Sequence, residues 1–211
     1  MTTASVMTYD SLVENIQSYL ERTDTATLEK IPLFIMLAEQ VIASQIKFLG
    51  NLTVNTSTMT QGSGVIAKPA RWHKTVSMNI TVGGTRQPVL NRRYEYLREY
   101  WPSPTDTGTP VYYADYDYSN WLVAPTPDDD YAFEVLYYER VQPLDSSNQT
   151  NWFTTYAPQA LLYGSLLQAM PFLKNDARIA MWQQQYDLIM TTLKTEDQSR
   201  VGDRQTVAID S

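Results

Sequence analysis

Val76-Ser77-Met78-Asn79-Ile80-Thr81-Val82 alternates apolar and polar residues, and Val82-Gly83-Gly84-Thr85 follows it directly. The alternation is that of a strand with one buried face, and two glycines free to take positive φ are a hairpin signal. Upstream, Leu52-Thr53-Val54-Asn55 alternates in the same way, inside a Thr-, Ser- and Val-rich stretch from Asn51 to Val89 that Gly62 and Gly64 punctuate. Downstream, the spacing predicts strands over Val111 to Tyr116, Trp121 to Ala124 and Tyr131 to Glu139. Pro125, Pro127 and Asp128-Asp129-Asp130 supply the turns between them. A short helix from Arg92 to Tyr100 interrupts the strands and stops at Trp101-Pro102.

On both sides of this β-rich middle the period changes to that of helices. Thr8 to Arg22 carries Leu12, Ile16, Tyr19 and Leu20 on one face, with Thr8 as its cap and Asp10 in the first turn. After a polar break at Thr23 to Thr27, Leu28 to Leu49 predicts a longer helix. Its stripe is Ile31, Phe34/Ile35, Ala38, Val41/Ile42, Gln45 and Leu49; Pro32 is tolerated in its first turn and Gly50 is its expected C-cap. Helical spacing returns after Pro158 with Leu162, Leu166, Ala169/Met170 and Leu173, until Pro171 and Lys174-Asn175-Asp176 break it. Ile179, Trp182, Tyr186, Ile189 and Leu193 then form a seam like that of a coiled coil. The expected fold is α+β: a bundle of N- and C-terminal helices with an inserted antiparallel β-domain. Its segments are 1–50 (helices), 51–155 (β-rich insert), 156–198 (helices) and 199–211, a polar tail expected to be disordered in the free monomer.

The chain has 211 residues, 43% apolar and 18% charged, which is globular composition. A folded chain of this length buries roughly two-thirds or more of its unfolded surface and needs no metal or disulfide staple. A formal net charge of −7 argues against a free-standing, sequence-reading DNA-binding domain, because the phosphate term would be repulsive. With no cysteine and only His73 as histidine, thiolate or multi-histidine metal sites are excluded, and no cofactor is expected. The first basic residue is Arg22 and the longest apolar run is Ile31 to Ala38, so neither a secretory signal nor a membrane span is expected.

Charge is segregated along the chain. Lys68 to Arg98 holds seven bases (Lys68, Arg71, Lys74, Arg86, Arg92, Arg93, Arg98) against Glu95. Asp106 to Asp145 holds nine acids, among them Asp115, Asp117 and the Asp128, Asp129, Asp130 run, against Arg140. Either these are two solvated surfaces, or they are the two halves of a head-to-tail contact between copies; in the second case Lys68, Arg71, Lys74, Arg92 and Arg93 of one copy meet Asp115, Asp117, Asp128, Asp129 and Asp130 of the next. Aromatics make up 12% of the chain, with 15 tyrosines. They suit either a β-rich core or contacts that are buried in an assembly and wet at the edge.

Enzymatic constellations are weak. The Asp128–Asp130 run lacks the spaced oxygens and glycine of a calcium loop and reads as a turn. Asp115 and Asp117, expected on one strand face, could form a carboxylate pair, and His73 could serve a triad, but no further residue marks either as a site. Gly62-Ser63-Gly64 and Gly83-Gly84 lack the Lys-Ser/Thr of a phosphate loop.

Taken in order, a series of motifs carries a resemblance. Leu97-Arg98-Glu99-Tyr100-Trp101-Pro102 precedes Gly108-Thr109-Pro110-Val111-Tyr112-Tyr113, then Leu122-Val123-Ala124-Pro125-Thr126-Pro127-Asp128 and Val135-Leu136-Tyr137-Tyr138-Glu139. Pro143-Leu144 and Asn151-Trp152 lead into Tyr156-Ala157-Pro158, Leu161-Leu162-Tyr163-Gly164, Lys174-Asn175-Asp176 and Trp182. From Leu97 to Gln198 the chain resembles the head-to-tail adaptor (neck, or connector) proteins of tailed bacteriophages, including the tail tubular adaptors of short-tailed phages. The resemblance implies a non-enzymatic protein of the virion neck, made in the host cytoplasm. It implies a homo-oligomeric ring of about twelve copies, bound to the portal protein and offering a platform to the next tail or nozzle component. Double-stranded DNA would pass its channel without sequence-specific binding. By the same implication the C-terminal segment docks on the portal, with Asp197, Arg200, Val201, Arg204, Val207 and Ile209 as candidates. A carbohydrate- or receptor-binding module, with Tyr and Trp stacking on sugars, stands as the alternative; a hydrolase using Asp115/Asp117 or His73 is a third reading.

Overall fold

The computed structural model describes residues 6–46, 51–172 and 177–205, with side chains through residue 199. The chain is α+β and divides into two compact units: Met1–Gly50 with Val141–Ser211, and Asn51–Arg140.

In the helical unit, α1 (Tyr9–Leu20) starts where the sequence puts its cap. Thr8 Oγ1 accepts from Ser11 N (3.2 Å) while Ser11 Oγ accepts from Thr8 N (2.9 Å), so two orphan donors are satisfied reciprocally. Leu12, Ile16 and Leu20 are its buried face. The expected polar break contains a one-turn helix, α2 (Thr25–Leu28), because Asp24 caps it and Thr27 is buried. The long helix, α3 (Ile31–Gln45), therefore restarts at Ile31 and not at Leu28: Pro32 lacks an N–H and fits only the first turn. Its buried face is Ile31, Phe34, Ile35, Ala38, Glu39 and Ile42, whereas Val41 is exposed. Leu49 and the expected cap at Gly50 lie outside the described residues, as do Leu173 and Lys174-Asn175-Asp176.

Residues 141–155, expected to close the β-rich insert, contribute to the helical core through Leu144 and Phe153. Asn151 caps α5 (Trp152–Tyr156), and α6 (Pro158–Gln168) and a 3-10 turn (Met170–Phe172) follow. The last helix, α7 (Ile179–Gln205), buries Trp182, Tyr186 and Met190. It runs on through residues 199–205, where a disordered tail was expected. Helices from both ends of the chain share one core, in which α6 is apolar nearly all round because it lies among the others.

The β unit holds β1 (Leu52–Met59), β2 (Val65–Ala67), β3 (Trp72–Val82), β4 (Thr85–Asn91), α4 (Tyr94–Tyr100), β5 (Thr107–Gly108), β6 (Tyr112–Asp115), β7 (Asn120–Ala124), β8 (Thr126–Pro127) and β9 (Tyr131–Glu139). Among the described residues seven strands order as β1-β9-β3-β4-β6-β7-β2, and β5 pairs with β8 apart from them. Val82 pairs with Thr85 across Gly83 (φ 56°) and Gly84 (φ 81°), so the expected hairpin is present and its turn needs both glycines.

The sheet is mostly antiparallel, not wholly so as expected. Strand β6 runs parallel to β4, and β5 to β8. The long connection through α4 reverses the chain once more before β6, which is the length of crossover a parallel pair requires. Burial also departs from strict alternation. Met78 and Ile80 are buried but Val76 is exposed, where a register shift between Thr75 and Ser77 interrupts the β3–β9 ladder. Val54 is exposed because β1 is an edge strand paired only with β9. The main core gathers Met59, Met78, Ile80, Val89, Trp121, Phe133, Val135 and Tyr137; a smaller one joins Leu97 of α4 to Ala114, Leu122 and Ala124.

Candidate assembly surface

The two charge blocks of the sequence meet inside the folded β unit. Strand β2 ends at Ala67 beside β7, which brings Lys68 to the mouth of the β6–β7 turn. Its ammonium pairs with the Asp115 carboxylate, donates to the Asp117 carbonyl and sits 4.1 Å from the Trp72 ring centroid. The Lys68 side chain is 2% exposed, so its charge is used within its own chain. Arg71 donates to Glu139 Oε1 from Nη2 (2.8 Å) and Nε (3.0 Å), across from the end of β9. Arg86 of β4 pairs with Glu134 of β9 at 3.0 Å. Each of the three pairs joins a base of the first block to an acid of the second: only β7 separates β2 from β6 at Lys68–Asp115, Arg71 and Glu139 lie at the ends of the adjacent β3 and β9, and only β3 separates β4 from β9 at Arg86–Glu134.

Asp115 and Asp117 do not share a strand face, contrary to expectation. Asp115 ends β6, whereas Asp117 lies in the turn and accepts from Ser119 N (2.7 Å) and Asn120 Nδ2 (3.0 Å). Those hydrogen bonds, from Asn120 first and then the Ser119 backbone, hold its carboxyl below the usual aspartate value. Such a carboxylate closes a turn and is not tuned as a general acid.

Asp128, Asp129 and Asp130 form an ordered acidic turn before β9. Asp128 accepts from the Tyr131 hydroxyl (2.7 Å), Asp129 from Asp130 N (2.8 Å) and Asp130 from Gln61 N (2.8 Å). All three are exposed, and none is in an ion pair among the described residues. Lys74 and Arg93 are likewise exposed and without an ion pair. Arg92 lies over Tyr112 (5.3 Å) and Tyr96 (5.8 Å).

The sequence reading missed the surroundings of Arg92. On α4, Arg98 lies 5.1 Å from the Tyr94 ring and donates Nε to its hydroxyl (3.0 Å). Tyr94 packs on Tyr116, and Tyr96 on Tyr100 and Tyr112. Tyr100, Tyr116 and Tyr94 keep 60%, 43% and 38% of their surface exposed, so the cluster is a surface feature and not core. The signal was present as Tyr94 and Arg98 at i, i+4 on a short helix, but their strand partners cannot be read from spacing.

In the helical unit Asp197 is half-buried on α7, and residues 200, 201 and 204 continue that helix; Val207 and Ile209 lie outside the described residues. An open groove on α7 is lined by Leu188, Thr191, Thr192 and Thr195. Each of these threonine hydroxyls donates to the carbonyl four residues back (Asp187, Leu188 and Thr191), which satisfies the polar atom on its own helix. Leu188 is 64% exposed there.

His73 is exposed on β3. No cluster of His, Cys, Asp or Glu among the described residues could hold a metal ion, and no described helix is long and apolar enough to cross a membrane. Gly62 and Gly64 belong to a turn in which Gly62 N donates to Pro127 O (2.9 Å). The family model described as SU10 adaptor protein matches residues 7–208, which takes in both units. No curated protein matches the chain.

Proposed function

Because the chain belongs to the SU10 adaptor protein family, and is thus a bacteriophage head–tail adaptor, we propose that it forms a ring of about twelve copies between the portal and the tail. The ring extends the DNA channel and presents the platform on which the next tail component docks. The single observation that carries this reading is the family match across residues 7–208.

In this reading the helices of the two chain ends act as one bundle, and α7 leads toward the portal. Asp197, Arg200, Val201, Arg204, Val207 and Ile209 make the portal contact, and the Leu188–Thr195 groove beside them supports it as apolar surface on the same helix. Copies meet through the charges of the β unit that have no ionic partner at home. The net charge of −7 suits a wall past which DNA slides, since phosphates are weakly repelled and not bound. The role is structural rather than catalytic.

The test is a mass measurement of the full chain mixed with the purified portal component. A stable complex of many adaptor copies per portal is expected, and a chain truncated after Gln198 should lose it. A chain that stays solitary beside every head and tail component would overturn the reading.

A further inference from the structure

We propose that the Arg–Tyr patch of α4 and β6 is the socket for the Asp128–Asp130 turn of a second copy of this chain; this rests on the adaptor reading and gives its ring a direction. The argument starts from which charges remain available. Lys68, Arg71 and Arg86 are paired within the chain. Arg92, Arg93 and Arg98 form no ion pair among the described residues, and neither do Asp128, Asp129 and Asp130.

These two sets lie toward opposite ends of one sheet. Met59 pairs with Tyr131 at the end where the acidic turn enters β9. Trp72 pairs with Glu139 at the other end, toward which β4 runs before giving Arg92 and Arg93. No ion pair among the described residues joins the turn to the patch within the chain. Two different, mutually complementary surfaces on one unit make a head-to-tail contact between copies and not a two-fold one.

Both partners are prepared for the contact. Gln61 holds the acidic turn by its backbone N–H to Asp130 (2.8 Å) and by Nε2 to the Asp128 carbonyl (2.7 Å). On the other side, rings occupy the faces of Arg92 and Arg98; Arg98 gives Nε to the Tyr94 hydroxyl and Arg92 gives Nη1 to the Asn91 carbonyl, and a guanidinium's five N–H groups leave others at the edge for carboxylates. Ordering paid in advance on both sides favours binding, and exposed tyrosine beside arginine is the composition of interface anchor points.

The cysteine-free chain permits a direct test. Arg93→Cys and Asp129→Cys chains are mixed under oxidising conditions, with Arg93→Cys and Gln87→Cys as the control pair. The expected result is a 93–129 mixed disulfide several-fold above the control, reduced in high salt, and a ladder of linked copies from a chain carrying both cysteines. Equal yields in the two mixtures, or Arg93→Cys homodimers as the main product, would overturn the socket. Unmodified chain is weighed in parallel with portal and tail components. If it assembles while the 93–129 link fails, the socket is wrong and the adaptor reading stands; if it assembles with nothing, the adaptor reading itself falls.

Discussion

Glu39 Oε1 accepts a 2.6 Å hydrogen bond from Asn151 Nδ2, which ties the middle of α3 to the cap of α5 across 112 residues of chain. Its other oxygen accepts from Leu144 N at 3.3 Å. Glu39 is 6% exposed, an acid on an otherwise apolar helix face, and burial raises its carboxyl above the usual 4.5 even though both hydrogen bonds pull it down.

From pH 4.5 up to the raised native value, the folded chain keeps a proton that the unfolded chain has lost, so Glu39 favours the fold most below 4.5 and less as pH rises through that window. Glu39→Gln removes the titration but turns an amide N–H toward Leu144 N. Its cost should be about 1–3 kcal/mol near pH 4.5 and smaller at pH 7, read by urea denaturation across that range. A cost independent of pH would contradict the buried carboxyl.

Gly164 of α6 marks a close approach in the helical core. A Cβ there would lie 3.2 Å from Tyr186 Cε2 and 3.3 Å from Ala38 Cβ. Gly164→Leu should therefore destabilise by about 1–3 kcal/mol through overpacking, despite its better helix propensity, as a lowered melting temperature.

Tyr186 carries the reciprocal prediction. Its buried hydroxyl has no hydrogen-bond partner among the described residues. Tyr186→Phe removes an unsatisfied group and should raise stability by about 1 kcal/mol, with helical circular dichroism unchanged.

Lys68 separates chain-internal charge from interface charge. Lys68→Met abandons the Asp115 pair and the Trp72 contact and should cost about 1–2 kcal/mol of thermal stability. Lys74→Glu, at an exposed side chain without an ion pair, should change stability by less than about 0.5 kcal/mol. Equal costs would show that Lys68 is not committed inside its own chain.

Amide exchange of the isolated chain should show a gradient along α7. Protection should be strongest around Trp182, Tyr186 and Met190, which are buried, and should fall after Leu193, since the side chains of residues 194–199 are half-buried or exposed. Uniform protection to Gln205 would require a packing partner for that end of the helix.

Much of the local structure was legible. The Thr8 cap, the Gly83-Gly84 hairpin and the seam through Trp182 and Tyr186 depend on residues within a few positions of each other, where the chain geometry leaves little choice. The parallel β4–β6 pair and the register shift in β3 were not, since each depends on which distant strand lies alongside. The charge blocks were read correctly as composition and incompletely as surface. Lys68, Arg71 and Arg86 find Asp115, Glu139 and Glu134 only because the sheet order puts their strands adjacent or one strand apart.

What the amino-acid order determined by itself was the alternation of helical and strand periods, the class of the fold and the motif series that resembles phage adaptors, because period and turn chemistry are local properties. Only the tertiary structure decided which charges are spent at home, that a buried glutamate ties α3 to the start of α5, and that tyrosines from α4 and β6 meet around Arg92. Those outcomes depend on contacts between residues far apart in the chain, and such contacts exist only once the strands have chosen their neighbours.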